Sequence, residues 1–163
     1  MVASEFIRTL IKEEEHILKD VQTMSVDGKP LVGVKGYEQF LPIVAEDDED
    51  ASRYFPYFIV RTDGGVTQDD DDPWTVTVNI IFGCHDKELA NNGHRHILTM
   101  IERTIDRFAA EPLMDGKYRA QQNMEWALQD EDTYPFFFGG VAIKFSVPKI
   151  GRREPAYGEK EYI

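Results

Sequence analysis

The run WTVTVNIIF constrains the fold more than any other stretch of the chain. It sets Trp74, Val76, Val78, Ile80 and Phe82 on one side of an extended backbone and Thr75, Thr77 and Asn79 on the other. A period of two is the signature of a strand with one buried face, and a helix would scatter those apolar groups around its axis. The chain must therefore build a sheet and supply something to cover it. PFFFGGVAIKFSVP alternates in the same way through Val141, Ile143, Phe145 and Val147, with Lys144 and Ser146 opposite.

Two segments have the period of an amphipathic helix. In SEFIRTLIKEEEHILKDVQ, Phe6, Ile7, Leu10, Ile11, Ile17, Leu18 and Val21 recur at three- and four-residue spacing, and Lys12 to Glu15 fall mostly on the wet face. In KELANNGHRHILTMIERTIDRFAAEP the stripe is Ile97, Met100 or Ile101, Ile105 and Phe108, with Pro112 just past its end. Gly93 either marks where that helix starts, near Asn91, or allows a close packing contact. KPLVGVKGY is a short strand interrupted by Gly33 and Gly36. RYFPYFIVRT is a strand that Pro56 starts or places at an edge. DGG at 63–65 reads as a turn, and YRAQQNMEWALQ reads as a strand through Met124, Trp126 and Leu128. The expected fold is α+β: a mostly antiparallel sheet of about five strands with two helices on one face, in the order α-β-β-β-α-β-β. Residues 1–148 form a single domain, and 149–163 form a flexible or partner-bound tail without periodicity.

Composition narrows the function. Thirty acidic against 18 basic side chains give a net charge of -12, which disfavours gripping a nucleic acid and suits, at most, a wall along which DNA passes. Cys84 is the lone cysteine, so no intrachain disulfide forms. No apolar run of about 18 residues is present to span a bilayer. The N-terminus lacks a basic segment followed by a long apolar core, so the cytoplasm is the expected compartment.

Catalytic and metal chemistry find little support in the spacing. Cys84, His85, Asp86, His94 and His96 are all ligand types, yet no CxxC or HExxH pattern joins them, and Cys84 is expected to pack. Asp69, Asp70, Asp71 and Asp72 lack the alternation and glycine of a calcium loop, and are expected to form a solvated connection that deters edge pairing. No serine lies in a nucleophile-elbow context, and Gly139-Gly140 lacks the lysine of a phosphate loop. Neither a cofactor nor a metal is expected, and an enzyme is disfavoured.

Aromatic residues point to contact. Tyr54, Phe55, Tyr57 and Phe58 cluster, as do Tyr134, Phe136, Phe137 and Phe138. Consecutive aromatics in a strand occupy both faces of a sheet, and the second face is covered either by another helix layer or by a neighbouring subunit.

The combination of YFPYFIVRTDGG, VTVNIIFGCHDKE, NGHRHILTMIERTIDRF and MEWALQDEDTYPFFFGGVAIKFSVPKI resembles the tail terminator, or tail-completion, proteins of long-tailed bacteriophages and prophages. The resemblance spans about residues 50–150. It implies a structural virion protein, assembled in the host cytoplasm. Such a protein forms a ring, commonly a hexamer, that caps the tail tube, meets the head–tail connector proteins and leaves a channel for DNA without binding it specifically. Its partners would be copies of itself, the tail tube protein and the connector, with no membrane. A ring needs a heterologous contact. The candidates for it are Tyr57, Phe58, Phe136, Phe137, Phe138 and Tyr157, on strand edges at 55–62 and 136–147 and on a tail reaching across a neighbour. Asp69–Asp72 would lie at the lumen or at a ring face. The alternatives are a head–tail neck adaptor and, from a different class, a metal-dependent enzyme built on Cys84, His85, Asp86, His94 and His96.

Overall fold

The computed structural model describes residues 3–44 and 51–150. In chain order the elements are α1 (Ala3–Ile17), β1 (Gln22–Met24), β2 (Pro30–Val32), β3 (Lys35–Glu38), a 3-10 turn (Ala51–Tyr54), β4 (Tyr57–Val66), β5 (Trp74–His85), α2 (His94–Ala110), β6 (Leu113–Met114), β7 (Tyr118–Leu128) and β8 (Phe136–Val147). Six strands form one sheet in the order β3-β4-β5-β8-β7-β6, while β1 and β2 make a separate hairpin. All pairings in the large sheet are antiparallel except β3 with β4. The fold is α+β and mostly antiparallel, as the alternation and helix periods predict.

Both helices cover the same face. Val76, Val78, Ile80, Phe82 and Cys84 of β5 are buried there beside Val141, Ile143 and Phe145 of β8. Phe145 is the joint. Its ring lies 5.1 Å from Phe6 of α1 and 5.2 Å from Phe108 of α2, the latter edge-on. Aromatic pairs at these separations add specific attraction to the area they bury.

Several expectations need correction. DGG does not turn the chain: it lies inside β4, where a register shift between Thr62 and Gly64 marks a bulge. Gly64 takes a φ of +130° there, and the connection comes later, at 67–73. KPLVGVKGY is two strands, because Gly33 at φ +87° breaks it between β2 and β3. The short strands β1 and β6 carry too few residues to show a period. Glu14 is not on the wet face of α1 but fully buried between the helices. Residues 55–62 and 136–147 are not sheet edges either, since β4 lies between β3 and β5, and β8 between β5 and β7.

Gly93 serves both of the roles open to it. It is the residue immediately before α2, and a Cβ there would sit 2.4 Å from the Phe137 ring. The acidic stretch at 45–50, and the tail from residue 151 on, including Tyr157, lie outside the described residues.

Candidate functional site

The face of the sheet turned away from α1 and α2 grades from aromatic to polar along its strands. At one end, Phe55 packs 4.9 Å from Tyr57, 4.8 Å from Phe136 and 5.8 Å from Phe138. His85 meets Phe136 edge-on at 5.2 Å. Tyr57 can lie flat because its cross-strand partner is Gly83, where an added Cβ would come 2.6 Å from the ring. Burial raises the Tyr57 hydroxyl pKa above the usual phenol value, so it stays protonated at neutral pH.

In the middle of this face the side chains shrink. Ile81 and Ala142 flank Gly140, and with Ala127 and Glu125 they outline a shallow hollow of about 310 Å3. Toward the other end the groups are polar. Asn79 donates to Asp63 at 2.7 Å, and Gln121 reaches across β8 to donate to Ser146 at 3.4 Å and Thr75 at 3.3 Å. Lys144 stands exposed among them.

The predicted contact residues divide between the two faces. Tyr57, Phe136 and Phe138 belong to the face without helices. Phe58 is fully buried on the helix side, its ring filling the space that a Cβ at Gly36 would take. Phe137 packs on that side too, against the core and Gly93. Strand alternation turns Phe58 and Phe137 to the helix side, Phe58 fully buried and Phe137 half-buried, while Tyr57 is buried on the opposite face.

Asp69, Asp70, Asp71 and Asp72 are exposed in the connection from β4 to β5. The loop is braced through its backbone. Lys149 Nζ donates to the Asp69 carbonyl at 2.6 Å and to Thr67 Oγ1 at 3.0 Å. The Asp72 N–H donates to the Asp69 carbonyl at 3.2 Å. The loop borders a groove of about 720 Å3 that Asp63, Gly65, Thr75 and Lys144 also line.

The five residues of the metal-enzyme alternative do not converge. Cys84 faces the helices, fully buried, with its thiol against the Gly93 carbonyl at 3.6 Å. Burial, reinforced by Asp86, pushes that thiol up to about 12, so it is not a thiolate nucleophile at neutral pH. His85 points to the opposite face, where burial lowers its pKa and keeps the ring neutral. His96 pairs with Asp86 at 3.0 Å, and His94 is exposed. Among the described residues, no group of three or more His, Cys, Asp or Glu side chains is placed to hold a metal ion. No described helix is long and apolar enough to cross a membrane.

The chain matches no family model and no curated protein.

Proposed function

We propose that the protein is a structural component of a bacteriophage or prophage tail, a terminator that closes the tail tube as a ring and joins it to the head connector. The observation that carries this reading is the sheet face on which neither described helix packs. Both helices lie on one side, and the other presents an aromatic cluster, an apolar hollow and a polar margin in sequence along the same strands. A surface that joins an apolar patch to a polar margin suits a protein contact, and a second copy is the occupant that a ring requires. The protein works by assembly, not by catalysis. The acidic loop and the net charge of -12 suit a channel along which DNA moves without being held. Its place is the neck of the virion, after assembly in the bacterial cytoplasm.

The test is tail length. Deleting this gene from the genome that encodes it removes the stop on tube growth. Electron microscopy should then show tubes longer than those of the parent and separated from heads. A neck adaptor on the head side would instead leave tails of parental length that fail to join heads. Normal, head-joined tails would contradict both readings.

A further inference from the structure

We propose that residues 124–128 of β7 pair antiparallel with the same residues of a second copy, about a twofold axis through Trp126. This goes beyond the ring reading and does not rest on it, because such a contact is isologous and closes at two copies.

An edge strand offers unpaired N–H and C=O groups that invite another strand, and folded proteins cover or blunt them. At β3 the cover is explicit. Glu15 of α1 accepts from the Gly36 N–H at 3.1 Å, and the Phe40 N–H donates to the Glu38 carbonyl at 2.7 Å. Beyond β3, the Gln39 amide imitates a strand alongside β4. Its Oε1 accepts from the Thr62 N–H at 3.1 Å and its Nε2 donates to the Thr62 carbonyl at 3.2 Å. The rest of β4 is bulged and carries Gly64 and Gly65.

Among the described residues, the opposite edge has no such protection. β6 pairs with β7 only at Tyr118 and Arg119, a register irregularity follows between Ala120 and Met124, and no described strand lies beside 124–128. In an antiparallel ladder the N–H and C=O of one residue point the same way, and the direction alternates along the chain. The Gln129 N–H donates inward to the Phe138 carbonyl at 3.1 Å, so Ala127 and Glu125 also point inward. Met124, Trp126 and Leu128 therefore turn their backbone groups outward. This stretch holds no lysine and no proline, and Trp126 is 55% exposed.

One register uses the whole of this edge. With the axis at Trp126, that residue faces its own copy, Met124 faces Leu128, and Glu125 faces Ala127. All three outward-pointing residues then exchange hydrogen bonds, apolar groups meet on the helix side, and no like charges stand opposite each other. Moving the axis to Glu125 would set two carboxylates face to face and place Leu128 opposite residue 122, inside the irregular stretch between Ala120 and Met124. β3 is covered, the rest of β4 is bulged and β6 offers only two residues, which leaves β7 as the partner for β7.

The register makes a sharp test. Directly hydrogen-bonded antiparallel residues have Cα atoms about 5.5 Å apart, within disulfide range. Trp126→Cys should therefore oxidise to a disulfide-linked dimer at concentrations where the parent chain sediments as a dimer. Glu125→Cys, displaced by two residues from its own copy, should remain a single chain. Cys84 is buried and does not compete. Trp126→Lys, at an exposed position that leaves the fold intact, should sediment as a monomer. A parent chain that stays monomeric up to about 1 mM, a range in which weak specific contacts associate, would overturn the proposal. So would equal cross-linking of the two cysteine variants, or a Trp126→Lys dimer as tight as the parent's.

Discussion

Replacing Glu14 with glutamine should remove a loss of stability that the parent chain suffers between about pH 4.5 and pH 8. Glu14 has no exposed surface, and burial, reinforced by Glu13, pushes its carboxyl up to about 8 despite the opposing hydrogen bond from Thr104. The hydrogen-bond geometry favours the protonated form independently. Glu14 Oε2 and Thr104 Oγ1 are 2.5 Å apart, and the same hydroxyl lies 2.9 Å from the Met100 carbonyl. Threonine has one hydroxyl proton. If Glu14 keeps its own, it donates to Thr104, Thr104 donates to Met100, and no charge is buried between the helices. If Glu14 ionises, one proton must serve two acceptors, while the other carboxylate oxygen has no partner.

The sign follows from the raised value. Below about pH 4.5 both folded and unfolded chains hold the proton, and the contribution of this group is fully present. Between about 4.5 and 8 only the folded chain holds it, so stability falls by about 1.4 kcal/mol per pH unit and then levels off above 8. The total is of the order of 4–5 kcal/mol for a shift from 4.5 to about 8. Glutamine keeps the shape and stays neutral. Urea unfolding of parent and Glu14→Gln across pH 4.5–9 should give curves that nearly meet at the acid end and diverge by several kcal/mol at the alkaline end. Parallel curves would mean that Glu14 ionises normally in the folded protein.

Truncating Phe145 should have an effect of similar size at any pH. It is fully buried, touches Phe6 and Phe108 from the two helices, and stands opposite Val76 and Ala120 on its neighbouring strands. Phe145→Ala opens a cavity where three elements meet, and buried Phe-to-Ala changes cost about 3–5 kcal/mol. The melting temperature should fall by about 10 °C in a chain of this size. Phe138→Ala, on the face without helices, should cost much less in the isolated chain, because Phe138 is only partly buried. Equal losses at the two sites would mean that the aromatic cluster belongs to the core and is not reserved for a partner.

The parts of the fold legible in the sequence are those long enough to show a period. β5 and β8 alternate over whole strands, and α2 repeats over four turns, so their faces could be assigned residue by residue. The hairpin of β1 and β2 has three residues a side, too few to alternate, and its local signal is the Asp27-Gly28 turn, where Gly28 takes a φ of +83°. Glu14 reads as solvent-facing by residue type, and only the partner helix, with Thr104 opposite, explains its burial. The aromatic runs mark strands rich in large side chains but not the face that each ring takes. Phe58 and Phe137 sit beside Tyr57 and Phe136 in sequence, yet alternation sends them to the core. Which strands are edges is set by sheet order, a long-range property that no local pattern contains. The exposed edge of β7 follows from β8 lying between it and β5, an order that the sequence of β7 does not carry.

In the proposed function, this chain closes the head-proximal end of a tail tube as a ring, using the face of its sheet that carries Phe55, Tyr57, Phe136 and Phe138. Cryo-electron microscopy of the head–tail junction in the particle that encodes it tests this most directly. A ring of this chain seated on the last layer of tube protein, with that face buried against the next copy, is the predicted result. Density for the chain elsewhere in the particle, or a ring in which the aromatic face looks out into solvent, would contradict it.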